Sequence, residues 1–211
     1  MGDFWAVPII RSVNSRYHYK NKNNSNMKKS VFIIITCLIA IAIQAQEPKG
    51  HLKFMGIELN GTINDFQAKL LSKGLTLSPQ SKQQPTGSRL FDGTFSGEDA
   101  QIIVWYNPRT KQVYRAKAII SRYGKDLVEQ LMRNMETKLD AKYGKKNKES
   151  GKVEDDYLQE FTQHSYIEEN GTIDMFISST GYSAQNTFFL HIDYRDKENY
   201  IKNTQDEMDD L

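Results

Sequence analysis

One run of residues constrains the fold more than any other. From Lys125 to Tyr143, the residues Leu127, Val128, Leu131, Met135 and Leu139 recur at helical spacing, and Gly144 supplies a stop. On both sides of this helix the period changes from 3.6 to 2. Arg89–Phe95, Gln101–Tyr106 and Gln112–Ser121 precede it, separated by Ser96-Gly97-Glu98-Asp99 and by Asn107-Pro108-Arg109-Thr110, both of which are turn chemistry. Asp156–Ile167, Thr172–Ser178 and Thr187–Tyr194 follow it. Between the first two of these, Glu169-Asn170-Gly171 signals a hairpin, because Asn-Gly supports the primed two-residue turns.

A shorter helix comes earlier. Thr62 is its N-cap and Asp65 adds negative charge in its first turn. Ile63, Phe66, Leu70 and Leu71 share one face, and Gly74 sits at the C-terminal cap. Phe54–Leu59 before it is a short strand. Ser78–Ser88 and Lys145–Val153 are polar and predict surface loops. The order helix, three strands, helix, three strands predicts an α+β fold. It is a tandem αβββ arrangement, an antiparallel sheet with two helices packed on one face. The domain spans 54–196, with possible halves at about 54–121 and 122–196. Residues 46–53 are expected to be a flexible lead-in. The acidic tail, 197–211, is expected to be loose or a marginal helix.

The N-terminal segment has a different character. Lys28 and Lys29 precede an apolar run from Val31 to Ile43, and Ala45 sits before Gln46 at a plausible cut. This is the three-part pattern of a secretory signal peptide, expected over 27–45. The run falls short of the ~20 apolar residues a membrane-crossing helix needs, so no span is expected after processing. Cys37 follows Ile34-Ile35-Thr36, a loose lipobox, but the apolar run continues past it through Ile43. A lipid anchor at Cys37 is therefore not the expected outcome. Residues 1–26 precede the signal and are expected to be an overextended start, with Met27 as the initiator. The expected location is periplasmic or extracellular.

Charge follows the same division. The chain has 211 residues and a formal net charge of +2, from 28 Lys and Arg against 26 Asp and Glu. Residues 1–45 hold six of the basic residues and one acid, which leaves 22 against 25, a net of −3, in 46–211. A slightly acidic domain is a poor nucleic-acid ligand, since phosphate contact needs a concentrated basic face.

Three stretches carry a resemblance: MKKSVFIIITCLIAIAIQAQ, FMGIELNGTINDFQAKLLSKGL and IDYRDKEN near the end. They resemble small secreted proteins of Bacteroides-type bacteria, which implies export. The helix-then-meander order is similar to the β-lactamase-inhibitor-protein fold and to the small outer-membrane-assembly lipoproteins related to it. That likeness covers most of 54–195 and rests on element order. This chain lacks their cysteines there. It implies a binding module rather than an enzyme.

Catalytic motifs are sparse. Of 4 His, His18 lies in the leader and His51 in the lead-in, leaving His164 and His191. Phe189, His191 and Asp193 share a strand face, and a His and an Asp two apart suit a general base or a metal ligand. No HExxH spacing accompanies them, and a polar strand face accounts for the pattern. Ser178-Ser179-Thr180-Gly181 reads as turn chemistry. There is no GxSxG elbow in 46–211, no Walker loop and no GxGxxG. The acidic clusters at 154–156, 168–169 and 206–210 could serve glycoside hydrolysis or calcium, but lack EF-hand or RTX spacing and read as solvated charge. No catalytic residue, metal or cofactor is assigned.

The aromatics carry more. Trp105 is the only Trp after the leader. On its strand Ile102, Val104 and Tyr106 make the better core set, so Gln101, Ile103 and Trp105 are expected on the open sheet face. On the next strand Tyr114, Ala116 and Ala118 are expected under the helices, with Val113, Arg115, Lys117 and Ile119 opposite. Burial of Trp105 in the core is the competing reading, and a one-residue slip would invert every assignment. The candidate binding set is Trp105, Ile103, Arg115, Lys117 and His191. The expected function is a secreted, non-catalytic binding or interaction module of the cell envelope, its partner an envelope protein or a glycan. The alternatives are a secreted hydrolase acting on glycans or envelope components, and a structural envelope protein without a discrete ligand.

Overall fold

The structure is a computed structural model that describes residues 50–157, 159–181 and 186–209. The expectations for 1–26, for the 27–45 leader and for Cys37 lie outside the described residues. A small hairpin, β1 (Lys53–Phe54) and β2 (Ile57–Glu58), opens the fold. Helix α1 (Ile63–Ser72) follows, then β3 (Thr76–Leu77), a 3₁₀ turn at Pro79–Gln83, and the meander β4 (Ser88–Phe95), β5 (Glu98–Tyr106) and β6 (Val113–Tyr123). Helix α2 (Lys125–Tyr143) leads to β7 (Lys148–Glu154), β8 (Glu160–Glu168), β9 (Gly171–Ser179), β10 (Thr187–Asp196) and helix α3 (Lys197–Asp209).

Eight strands form one antiparallel sheet in the order β3-β4-β5-β6-β10-β9-β8-β7. The two meanders meet only where β6 pairs with β10, with Ala118 opposite Ile192 and Lys117 opposite Asp193. The order of the sheet therefore reads alike from either edge, a helix and its meander on each side of a central joint.

One face of the sheet is the core. Ile102 and Val104 of β5, Ala116, Ala118 and Ile120 of β6, Leu190 and Ile192 of β10, and Ile173, Met175 and Ile177 of β9 are all buried. Helices α1 and α2 cover this face. Thr62 caps α1 by accepting from the Asp65 N–H, and Ile63, Phe66 and Leu70 are buried. Arg89, on the covered face of β4, donates to Gln67 and Asn64 of α1. In α2 the buried stripe is Val128, Leu131, Met132, Met135 and Leu139. Leu127 and Leu71, expected in the two stripes, are exposed instead, each one position off the line that meets the sheet. Tyr166 of β8 is fully buried, and its hydroxyl donates to Asp140 of α2 at 2.8 Å.

Four further expectations are corrected. Lys145–Val153 is not a loop throughout: β7 pairs with β8 over seven residues as the outer edge of the sheet. Its Lys148, Glu149, Lys152 and Glu154 suit an edge that must not template another strand. The lead-in is part of the fold from His51 on, because the Leu52 N–H donates to buried Asp196 at 2.8 Å. The tail is a docked helix: Asn199 and Asn203 are buried, and Asn199 donates to the carbonyls of Leu59 and Val113. Finally, Tyr114 does not take the core position under α1 and α2; its ring meets Tyr200 of α3 edge-on at 5.8 Å. Trp105 pairs with Arg115 but Tyr106 pairs with Val113, so Tyr114 is the extra residue of a bulge, and Val113 takes the core position. Tyr106, expected in the core, does pack against it, half-buried at its margin with Arg89 and Lys111 over its ring.

Among the described residues, no helix is long and apolar enough to cross a membrane.

Candidate interaction face

The sheet face opposite α1 and α2 gathers all five candidate residues. Alternation on β5 and β6 sends Ile103, Trp105, Arg115 and Lys117 to this side, and β10 adds His191. The register holds because Ile102, Val104, Ala116 and Ala118 are locked into the core on the other side. All five are half-buried.

Trp105 is the centre of a cationic cluster. The Arg115 guanidinium lies 4.2 Å from the centre of its ring and the Lys117 ammonium 5.4 Å. Both are within the range of cation–π attraction. Arg115 is held in place by Asp193, which is 2% exposed and accepts from Nε at 2.9 Å and from Nη2 at 2.5 Å. That two-pronged bond is the geometry for which a guanidinium is preferred to an ammonium. The ladder continues outward: Arg195 of β10 pairs with Asp174 of β9, and Asp174 accepts from Ser165 of β8 at 2.6 Å.

Lys117 stands opposite Asp193 in the strand register, but the Asp193 oxygens accept from Arg115 and, among the described residues, no hydrogen bond joins Lys117 to Asp193. Burial, aided by the neighbouring Arg115 and Arg195 charges, holds the Lys117 ammonium pKa below its usual value. His191 is stacked on Phe176 with ring centres 4.7 Å apart, and its Nε2 is 2.8 Å from the Ser178 hydroxyl. Its Nδ1 is buried with no hydrogen-bond partner among the described residues. Burial, with Lys117 nearby, pushes its pKa down to about 4, so the ring is neutral at pH 7. Further along the same face a basin of about 550 Å³ is bordered by Asp92, Thr94, Asp99, Gln101, Ile119 and Phe189.

The other histidines serve different roles. His164 is on the covered face, where its Nδ1 is 2.8 Å from the Ser150 hydroxyl and its Nε2 is 3.7 Å from Glu136 of α2. His51, assigned by sequence to a flexible lead-in, has its Nδ1 3.1 Å from Asp196. Asp196 also accepts from the Leu52 and Asn199 N–H groups, the latter as the N-cap of α3. The His51–Asp196 pair borders a groove of about 570 Å³ together with Asn170, Lys197 and Glu198. No sequence pattern marks this pair, whose partners are 145 residues apart. Sequence reasoning also missed Asp174, Phe176 and Arg195 as members of the open face, although the period-2 pattern of β9 and β10 would have found them. Among the described residues no group of three or more His, Cys, Asp or Glu side chains is arranged to hold a metal ion.

Comparison with protein-family models, with curated proteins and with solved structures found no match.

Proposed function

We propose that this protein is a non-catalytic binding module of the cell envelope, exported by its N-terminal signal, and that the open sheet face centred on Trp105 is its contact surface. The observation that carries this reading is the Trp105–Arg115–Lys117 cluster, fixed from below by buried Asp193. Trp and Arg are the side chains most enriched at interaction hot spots, and a rigid anchor loses little entropy on binding. β5, β6 and β10, the strands that carry the five residues, are backed by the core, so the surface is preorganised. Lys117, partly desolvated and, among the described residues, without a carboxylate in hydrogen-bond contact, favours a partner that brings an anionic or carbonyl oxygen to it. The flat Trp105 ring suits an apolar side chain or a sugar ring beside that oxygen. The partner is then an envelope protein or a glycan.

The hydrolase alternative finds less support. A general base needs a free nitrogen directed at a cleft. His191 bonds Ser178 through Nε2, and its Nδ1, partnerless among the described residues, is buried rather than turned to a cleft, while His164 sits beneath α2.

The test is capture from envelope extracts and on a glycan array by the purified protein, with Trp105→Ala and Lys117→Gln variants alongside. A partner retained by the parent protein and lost by both variants is expected. A partner held equally by all three would refute the face.

A further inference from the structure

A second site lies on the opposite side of the sheet, independent of the open face. Between α2 and the tip of the β1–β2 hairpin is a crevice of about 330 Å³. Met55, Phe95, Met135, Leu139, Ile192 and Tyr194 line it. Its aromatic wall is built by packing: Phe54 stacks on Phe95 at 5.4 Å and meets Tyr194 edge-on at 5.3 Å. Met55 stands at the hairpin tip, where φ of 51° at Met55 and 78° at Gly56 makes the tight reversal. The crevice is thus bounded by two separate elements, each contributing a methionine, the most adaptable of apolar side chains.

The mouth has a definite charge. Lys138 and Lys142 of α2 border the same crevice. Lys138 donates from Nζ to the carbonyl and hydroxyl oxygens of Ser96 at 3.0 and 2.9 Å. The Lys142 ammonium lies 4.8 Å from the centre of the Tyr143 ring. Among the described residues neither lysine has a carboxylate within ion-pair distance. This contrasts with Lys148 nearby, which pairs with both Glu136 and Asp140. Two like charges at i, i+4 on a helix disfavour one another, and an anion between them relieves that repulsion. The helix dipole accounts for Lys142 in the last turn, but Lys138 lies further back and is turned onto the β4–β5 reversal.

We propose that this crevice binds a free fatty acid, its chain on the Phe95–Tyr194–Ile192 floor and its carboxylate between Lys138 and Lys142. The apolar lining selects a hydrocarbon chain and the uncompensated lysines select a monoanionic head. The volume is at the low end of the range for small-molecule sites, about 300–1,000 Å³, so a single chain of medium length fits better than a two-chain lipid or a sterol.

Calorimetry with laurate, dodecanol and butyrate on the purified protein tests each part. Laurate is expected to bind at least tenfold more tightly than dodecanol, and butyrate not at all. The double variant Lys138→Gln, Lys142→Gln is expected to lose at least tenfold toward laurate while leaving dodecanol unchanged. Methyl NMR of the methionines needs no variant: laurate should shift the Met55 and Met135 methyl signals. Equal affinity for laurate and dodecanol, full laurate affinity in the double variant, or unmoved Met55 and Met135 signals would each overturn the proposal. So would preferential binding to phospholipid vesicles over free laurate. Loss of partner capture by Trp105→Ala would leave this site untouched, and the reverse also holds.

Discussion

Acidification should destabilise this protein well before its carboxylates titrate, and His191 is the reason. The unfolded chain takes up a proton on this imidazole near the ordinary histidine value of 6.5, whereas the folded protein takes it up only near 4. Burial is the larger cause and the Lys117 ammonium the second. Between those values the unfolded state binds more protons, so stability falls as pH falls. With the two pKa values above, linkage gives a loss of about 2 kcal/mol between pH 7 and pH 5, rising to about 3 kcal/mol below pH 4. The perturbation is a series of urea unfolding curves at pH 7, 6 and 5, for the parent and for His191→Gln. Gln keeps a polar group near Ser178 but cannot be protonated. Losing the stack on Phe176 shifts the variant by a constant amount at every pH, so the slope is the readout and not the offset. The parent should lose about 2 kcal/mol more than the variant over this window. Parallel curves, or an NMR titration placing His191 near 6.5, would show that the ring is hydrated and that the open face is looser than described.

Four further outcomes are expected. Leu131→Ala and Met135→Ala, both in the buried stripe of α2, should each cost ~2–5 kcal/mol in denaturant unfolding, and exposed Leu127→Ala should stay within ~0.5 kcal/mol; equal effects would mean the helix face is misassigned. Gly171→Ala should cost roughly 3 kcal/mol or more by the same measurement, because a Cβ there would lie 2.2 Å from the Arg195 carbonyl oxygen; a neutral substitution would refute the close approach of β9 to β10. Trp105 fluorescence, isolated by subtracting the Trp105→Phe spectrum, should show intermediate acrylamide quenching that rises in Arg115→Met; a fully protected, blue-shifted emission would place Trp105 in the core. The natural protein should begin at Gln46 by intact mass, and a lipid-modified Cys37 terminus would refute the proposed processing.

What was legible in the sequence, and what was not, divides along physical lines. Ala116, Ala118 and Ile120 against Arg115, Lys117 and Ile119 is a clean alternation, and it put Arg115 and Lys117 on the open face, as the alternation of β5 did Ile103 and Trp105. The same alternation failed at Tyr114, because a bulge adds one residue and no residue type marks it. β7, with the sequence Lys-Glu-Ser-Gly-Lys-Val-Glu, is an edge strand that buries none of its side chains, so hydrophobic patterning has nothing to report. Helix α3 was hidden for a related reason: its inward residues include Asn199 and Asn203, and it docks by hydrogen bonds to Leu59, Val113 and Asn107 rather than by an apolar stripe. His51 and Asp196 find each other only after the whole chain has folded.

The joint between β6 and β10 carries a kinetic consequence. When the first meander is complete, β6 offers one edge to β5 and leaves the other with bare N–H and C=O groups until Thr187–Asp196 arrives. That strand is separated from it by α2 and three further strands, and Arg115 and Asp193 are 78 residues apart when they meet. The entropy of closing so long a loop is lost before any of the central pairing is gained, which makes for high contact order and slow folding. A chain ending before β10 would present β6 as an open template for association with its own copies. The last strand therefore acts as the latch of the whole sheet, and α3 and Leu52 close over its end through Asp196.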